Sequence, residues 1–458
     1  MVFSSLLFLF KFLPATLLIY YVVPKKLKNL VLLIASLIFY SWGEPKYFPL
    51  MIACILVNYL AALVMERHRG KRAVLNWTIA AAVVFDLGAL IFFKYSDFFI
   101  SNINAVFGSS IPLLRLTLPL GISFYTFQTM AYTIDVYRGK IKAERNIINL
   151  AAFVVLFPQL IAGPIVLYDD VAAALREHRL DRQRMLEGVR LFIFGLGKKV
   201  LIANNIGALW TQTRELGFAN ISTPLAWMGI IAFSLQIYFD FSGYSLMAIG
   251  LGKLLGFDFP ANFNFPYISK SFTEFWRRWH ITLGSWFREY LYIPLGGNRR
   301  GYARMVLNTL IVWAATGFWH GANWNFLLWG LLFFVLISIE KKWLMKYLDA
   351  GKVWPHIYVV FILILSWALF DITDMPSLGV FLGRLFSFTG GSDWLYYLRN
   401  YAVSFAVAVL FCLPLVQKLY DRLKKYWIAD VVILGGILFL SVAYLVDSTY
   451  NPFLYFRF

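Results

Sequence analysis

RMVLNTLIVWAATGFWHGANWNFLLWGLLFFVLISIE, residues 304–340, decides how the rest of the chain is read. The run from Arg304 to Phe318 is long enough to enter a bilayer, and Asn325 to Glu340 continues as a second apolar segment. Trp319, His320, Gly321 and Asn323 lie between them. Hydrocarbon offers the backbone no water to bond, so such runs are expected to be helices. An ionisable side chain at that depth is costly to desolvate, which makes His320 a functional-site candidate by default.

Composition agrees with a membrane protein. The 458 residues are 60% hydrophobic and 14% charged, against about 25% charged in soluble domains. The net charge of +18 does not point to nucleic acid, because Lys and Arg fall in short clusters between apolar runs, as in cytoplasmic loops. Cys54 and Cys412 sit far apart in apolar runs and give neither a disulfide framework nor a metal site.

Apolar runs near 3–23, 28–43, 48–65, 74–94, 118–136, 186–210, 224–240, 303–320, 324–340, 356–371, 397–417 and 428–447 are predicted spans. Shorter pieces lie at 148–167, 241–256, 270–293 and 376–389. Residues 3–23 lack a basic leader and a cleavage site and read as a retained span. Placing Lys25–Lys28, Arg67–Arg72, Arg138–Lys142, Lys341–Lys342 and Arg422–Lys425 in the cytoplasm predicts both termini on the outer face, including the tail 448–458. Residues 148–167, with Pro158, Gly163 and Pro164 between two basic clusters, are expected to be re-entrant. Residues 262–300 are too charged for a lipid-facing span and too aromatic for a free loop, so they read as short amphipathic helices on the cytoplasmic face. No repeat or soluble domain interrupts the chain, so 1–458 is expected to be one membrane domain.

Chemistry concentrates at few residues. Of five histidines, His68, His178 and His356 sit in basic loops or at a span start and read as ordinary. His280 follows FWRRW, where Ser271, Thr273 and Glu274 mark a helix start. Its alternative is an interfacial belt residue, and that of His320 a histidine bonded between helices. Asp240, in QIYFDFSGYS, is expected to orient a histidine, pair with a basic group, line a polar passage, or bend its helix at Ser242–Gly243. Gln128, with Pro119 and Gly121, suggests a polar-lined helix, and Asn323 a polar group beside His320. Arg277 and Arg278, with Arg288 and the Arg299–Arg300 pair, can bind phosphate or simply follow the positive-inside bias. Zinc-protease, serine-hydrolase, dinucleotide and P-loop signatures are lacking.

FWRRWHITLGSWFREYLYIPLGGNRRG (275–301) followed by GFWHGANWNFLLWG (317–330) resembles the membrane-bound O-acyltransferase family, in its bacterial alginate O-acetyltransferase-type branch. SFYTFQTMAYTIDVYRG, FPQLIAGPI, YFDFSGYSLMAIG, NFNFPY and YNPFLYFRF extend the resemblance nearly end to end. It implies an all-α polytopic membrane protein: a ring of about 11–12 transmembrane helices, with re-entrant and amphipathic segments, around a funnel and a central tunnel. It implies that His320 is the catalytic histidine and His280 the second catalytic position. Acyl transfer from a thioester needs a base for the hydroxyl proton and a donor for the oxyanion; His320 suits the first task, and His280 would hold the donor or steady developing charge. Arg277, Arg278, Trp279 and Trp286 are donor-binding candidates for acetyl-CoA, a substrate, with no bound cofactor. The expected setting is the bacterial cytoplasmic membrane among membrane lipids. The expected role is O-acetylation of an extracellular polysaccharide such as alginate, with an extracytoplasmic acetyltransferase partner. D-alanyl transfer to teichoic acid is the runner-up within the class, and a proton-coupled transporter or flippase the competitor outside it. Tyr455, in the aromatic tail, is a candidate acyl relay, set against a tail that only anchors at the interface.

Overall fold

The computed structural model describes residues 1–447; the tail 448–458, and with it Tyr455, lies outside the described residues. Within them the chain is helical, with one isolated bridge between Phe263 and Trp279 and no strand. Phe48–Arg67, Arg72–Phe107, Thr223–Leu254, Trp354–Asp371 and Trp427–Asp447 are long and apolar enough to cross a membrane. Asp393–Phe411 and Pro414–Leu423 together qualify as a sixth span, bent by 75°. The single span expected at 397–417 is therefore broken, because Pro414 has no N–H to continue the ladder and its ring clashes with the preceding turn. Other predicted spans are helices too short or too polar to qualify by length and composition alone, among them Lys28–Ser41, Ile122–Arg138 and Tyr302–His320.

Thr223–Leu254 corrects a second expectation. Residues 224–240 and 241–256 were predicted as separate pieces, yet one 32-residue helix runs through Asp240 and Ser242–Gly243. A Cβ on Gly243 would stand 2.8 Å from the Gly195 carbonyl, so this glycine admits a neighbouring backbone.

The chain falls into two compact units, Met1–Phe192 with Met247–Pro260, and Ile193–Leu246 with Ala261–Phe458. In the first, a buried polar brace ties three helices together. Asn58 Nδ2 donates to both carboxylate oxygens of Asp86 at 3.0 Å, Thr129 Oγ1 donates to Asp86 at 3.2 Å, and Thr133 Oγ1 donates to Asn58 Oδ1 at 2.5 Å. Lipid tails are as apolar as leucine, so helices associate through close packing and such bonds, each worth roughly 0.6–2 kcal/mol. The 148–167 segment is broken and buried, as its prolines and glycine suggest. Helix Ile147–Val155 stops at Leu156, one turn follows at Phe157–Leu160, and 150–166 are buried throughout. Its loosened backbone finds protein partners: the Phe157 N–H donates to Ser36 Oγ at 3.0 Å, and Gln159 Nε2 to the Phe153 carbonyl at 2.5 Å.

In the second unit, Tyr302–His320 and Trp324–Ile339 form an antiparallel hairpin. Its helices approach at paired glycines: a Cβ on Gly317 would collide with the Phe326 carbonyl, and one on Gly330 with the Trp313 carbonyl. The turn is equally tight, since a Cβ on Gly321 would enter the Phe326 ring.

Candidate active site

His320 is the last residue of Tyr302–His320 and is 8% exposed. Aromatic rings enclose its imidazole edge to face, among them Trp319 at 5.0 Å, Trp329 at 5.2 Å and Phe370 at 5.2 Å between centroids. Trp329 comes from the second arm of the hairpin and Phe370 from the end of Trp354–Asp371. Asn325 fixes that end by donating its amide to the Leu369 and Phe370 carbonyls at 3.2 and 2.9 Å. These carbonyls lie in the last turn of the helix, where intrahelical partners run out. Asn325 is buried, whereas Asn323, the asparagine singled out from the sequence, is exposed at the start of Trp324–Ile339.

His280 reaches the same neighbourhood from the 262–300 segment, which is built of short helices as its composition suggests. Phe272–Arg278 is capped as expected, with Ser271 Oγ accepting from the Glu274 N–H at 3.0 Å. Glu340, buried at the end of the hairpin, adds an unexpected anchor. Its carboxylate accepts from the Phe272 N–H at 2.6 Å, the Thr273 N–H at 2.8 Å and the Thr273 hydroxyl at 2.8 Å. Negative charge at the amino end of a helix is favoured by the exposed N–H groups and the helix dipole.

Between Phe272–Arg278 and Ile281–Phe287, His280 takes a left-handed conformation, φ 45° and ψ 52°. For a residue with a Cβ this costs about 1–2 kcal/mol. A clasp of backbone bonds beside the Phe263–Trp279 bridge holds it there: Asn264 N–H donates to Arg278 O at 2.9 Å, and Ile281 N–H to Asn262 O at 3.0 Å. The ring meets Phe241 at 4.8 Å and Trp319 at 6.1 Å, so both histidines pack on the Trp319 indole. Its Nδ1 lies 3.1 Å from Asn262 Oδ1. Burial lowers the His280 pKa well below the ordinary histidine value, which leaves the ring neutral at pH 7.

The other predicted residues divide. Asp240 pairs with Lys199 at 2.6 Å, both about 2–3% exposed, and Lys199 also donates to Asn204 Oδ1 at 2.8 Å. Lys199 sits on a π-helical stretch, Lys198–Asn204, the kind of widened turn found often at functional sites. Pairing with a basic group, one of the alternatives expected for Asp240, is present. Trp279 is buried among Tyr238, Phe263, Phe275 and Trp367, and Trp286 packs on Phe287 and Tyr290. Arg278 is engaged by Glu274 at 2.9 Å and the Asn264 carbonyl at 3.1 Å. Arg277, Arg288, Arg299 and Arg300 are exposed. Lys341, just after the hairpin, is exposed as well. Gln128 is buried in the first unit. Among the described residues no cluster of His, Cys, Asp and Glu could hold a metal ion.

A model of the membrane-bound O-acyltransferase family matches residues 141–350, a range that includes both histidines, their clasp and the hairpin. A probable alginate O-acetylase of Azotobacter vinelandii is 39% identical over 404 residues, covering 86% of this chain and 79% of the relative. The chain belongs to the membrane-bound O-acyltransferase family. A peptidoglycan O-acetyltransferase of Helicobacter pylori is 33% identical over 100% of this chain and 98% of its own length. A teichoic acid D-alanyltransferase of Bacillus subtilis is 29% identical over 50% of this chain. As a member of the family the protein is a multi-pass membrane acyltransferase, and the aromatic enclosure of His280 and His320 is its candidate catalytic site.

Proposed function

We propose that the protein takes acetyl from acetyl-CoA at the cytoplasmic face of a bacterial inner membrane and passes it outward for O-acetylation of an envelope or secreted polysaccharide, of which alginate is one example. One observation carries the reading: two buried histidines share one indole in an aromatic enclosure, within the segment that matches the family. His320 acts as the base. It removes the acceptor hydroxyl proton as the oxygen attacks the thioester carbonyl; the tetrahedral adduct collapses, the C–S bond breaks, and the imidazolium returns the proton to the departing thiolate. The aromatic rings around His320 hold the imidazole that this task requires in place. The exposed Arg277, with Arg288, Arg299 and Arg300, supplies phosphate-binding charge for the donor. Delivery to a polymer outside is assigned to an extracytoplasmic acetyltransferase partner, with Tyr455 as the candidate relay.

Acetyl rather than D-alanyl transfer is favoured because the relatives named as O-acetylating enzymes match most of the chain, whereas the D-alanyltransferase matches half. A proton relay through Asp240 finds less support, since its carboxylate is engaged by Lys199. The test supplies purified protein with acetyl-labelled acetyl-CoA and D-alanyl-loaded carrier in parallel and follows label onto candidate acceptors. Acetyl label should transfer, and Arg277→Glu should weaken donor binding in a manner that deepens at low salt. Transfer of D-alanine alone would replace this reading with the runner-up.

A further inference from the structure

The segment NFNFPY lies on the chain between the Asp240 helix and the His280 helices, and its first residue is bound to the histidine ring. Asn262 is 1% exposed, and its Oδ1 collects three contacts: His280 Nδ1 at 3.1 Å, the Thr282 N–H at 3.3 Å and the Thr282 hydroxyl at 2.9 Å. A backbone N–H can only donate, so the atom opposite the Thr282 nitrogen must be the amide oxygen; the flipped amide would set N–H against N–H. An oxygen in that place requires a proton on His280 Nδ1. In a neutral imidazole the lone pair then belongs to Nε2.

We propose that Asn262 is a positioning residue that fixes His280 as the Nδ1–H tautomer, making Nε2 a hydrogen-bond and proton acceptor. Of the two roles expected for His280, this selects one. A neutral ring whose only N–H is committed to Asn262 cannot donate to an oxyanion, whereas Nε2 can accept the amide N–H of a pantetheine arm and so hold the thioester. The clasp supports the same geometry, since the Ile281 N–H bonds the Asn262 carbonyl and couples ring orientation to the left-handed turn at His280. The catalytic meaning rests on the acyl-transfer reading above; the tautomer does not.

The experiment is nitrogen-15 NMR of the full-length protein, labelled at histidine, in detergent micelles at neutral pH, with His280→Gln assigning the His280 signals. The wild type should show a protonated, pyrrole-type Nδ1 and a pyridine-type Nε2. Asn262→Leu should shift the proton toward Nε2 and cut transfer about 10- to 100-fold, the usual cost of losing a partner that orients a functional histidine. Asn262→Asp, which keeps an acceptor oxygen in place, should retain the Nδ1 proton. A wild-type His280 protonated at Nε2, or an Asn262→Leu spectrum identical to wild type, overturns the assignment. If Asn262→Leu does not fold, the wild-type and Asn262→Asp spectra decide alone. A wild type with the expected tautomer but no acetyl transfer would instead sink the acetyl-CoA reading.

Discussion

At the scale of single residues, ionisable groups in apolar sequence were the readable signal, and their partners were not. His320 and His280 stand out because burying an imidazole needs a reason. Asn262 and Asn325 look like ordinary turn asparagines, since their roles depend on the distant His280, Thr282 and Phe370. Glu340 resembles a span-ending charge until its bonds to Phe272 and Thr273 are seen. Asp240 was legible as a buried carboxylate, but Lys199, 41 positions away in 199–240, reads as one of many basic residues. The pair makes a specific demand. Asp240→Asn removes the counter-charge of a lysine held out of water and should destabilise by about 3–5 kcal/mol, whereas the double change Lys199→Met with Asp240→Leu should restore much of the loss. Thermal unfolding in detergent measures both, and an unchanged midpoint in Asp240→Asn would show that the pair does not hold the fold. Retained transfer in the double variant would separate this structural role from a part in the chemistry.

At the scale of helices, hydropathy located the elements well and their breaks less well. The hairpin 302–339 and the helices ending at Asp371 and Asp447 fall where the apolar runs place them. The missed continuity at 241–256 and the missed break at 412–413 have one physical origin: hydropathy counts side chains, whereas breaks depend on backbone donors and steric fit. Pro414 ends a helix because it lacks an N–H. Gly243 does not, because it lies against the Gly195 carbonyl and the helix is supported by packing. The hairpin glycines carry a sharper consequence. Gly330→Ala must push Trp313 away from the opposite helix and shift Trp329, a wall of the His320 enclosure. It should lower the unfolding temperature and reduce transfer by about tenfold or more, as small displacements at a catalytic group do. Gly379→Ala, where an added Cβ meets nothing within 4 Å, is the matched control and should be neutral or slightly stabilising. Equal behaviour of the two variants would mean that the helix contact does not position His320.

At the scale of the whole molecule, composition and the spacing of apolar runs made the class legible, and the family follows from motifs spread through the chain. The proposed reaction joins two problems, a donor on one face and an acceptor beyond the other, and a base enclosed by aromatic rings would bear on both. In that reaction it would keep water from the thioester while the hydroxyl proton is taken. We assign the removal of that proton to His320. The most direct measurement compares wild type and His320→Ala in proteoliposomes supplied with labelled acetyl-CoA and an acceptor, with membrane abundance and unfolding temperature measured on the same samples. His320→Ala is expected to lose transfer by about 100- to 10,000-fold while remaining folded and abundant. A folded His320→Ala protein that transfers acetyl at a near-normal rate would show that His320 is not the base.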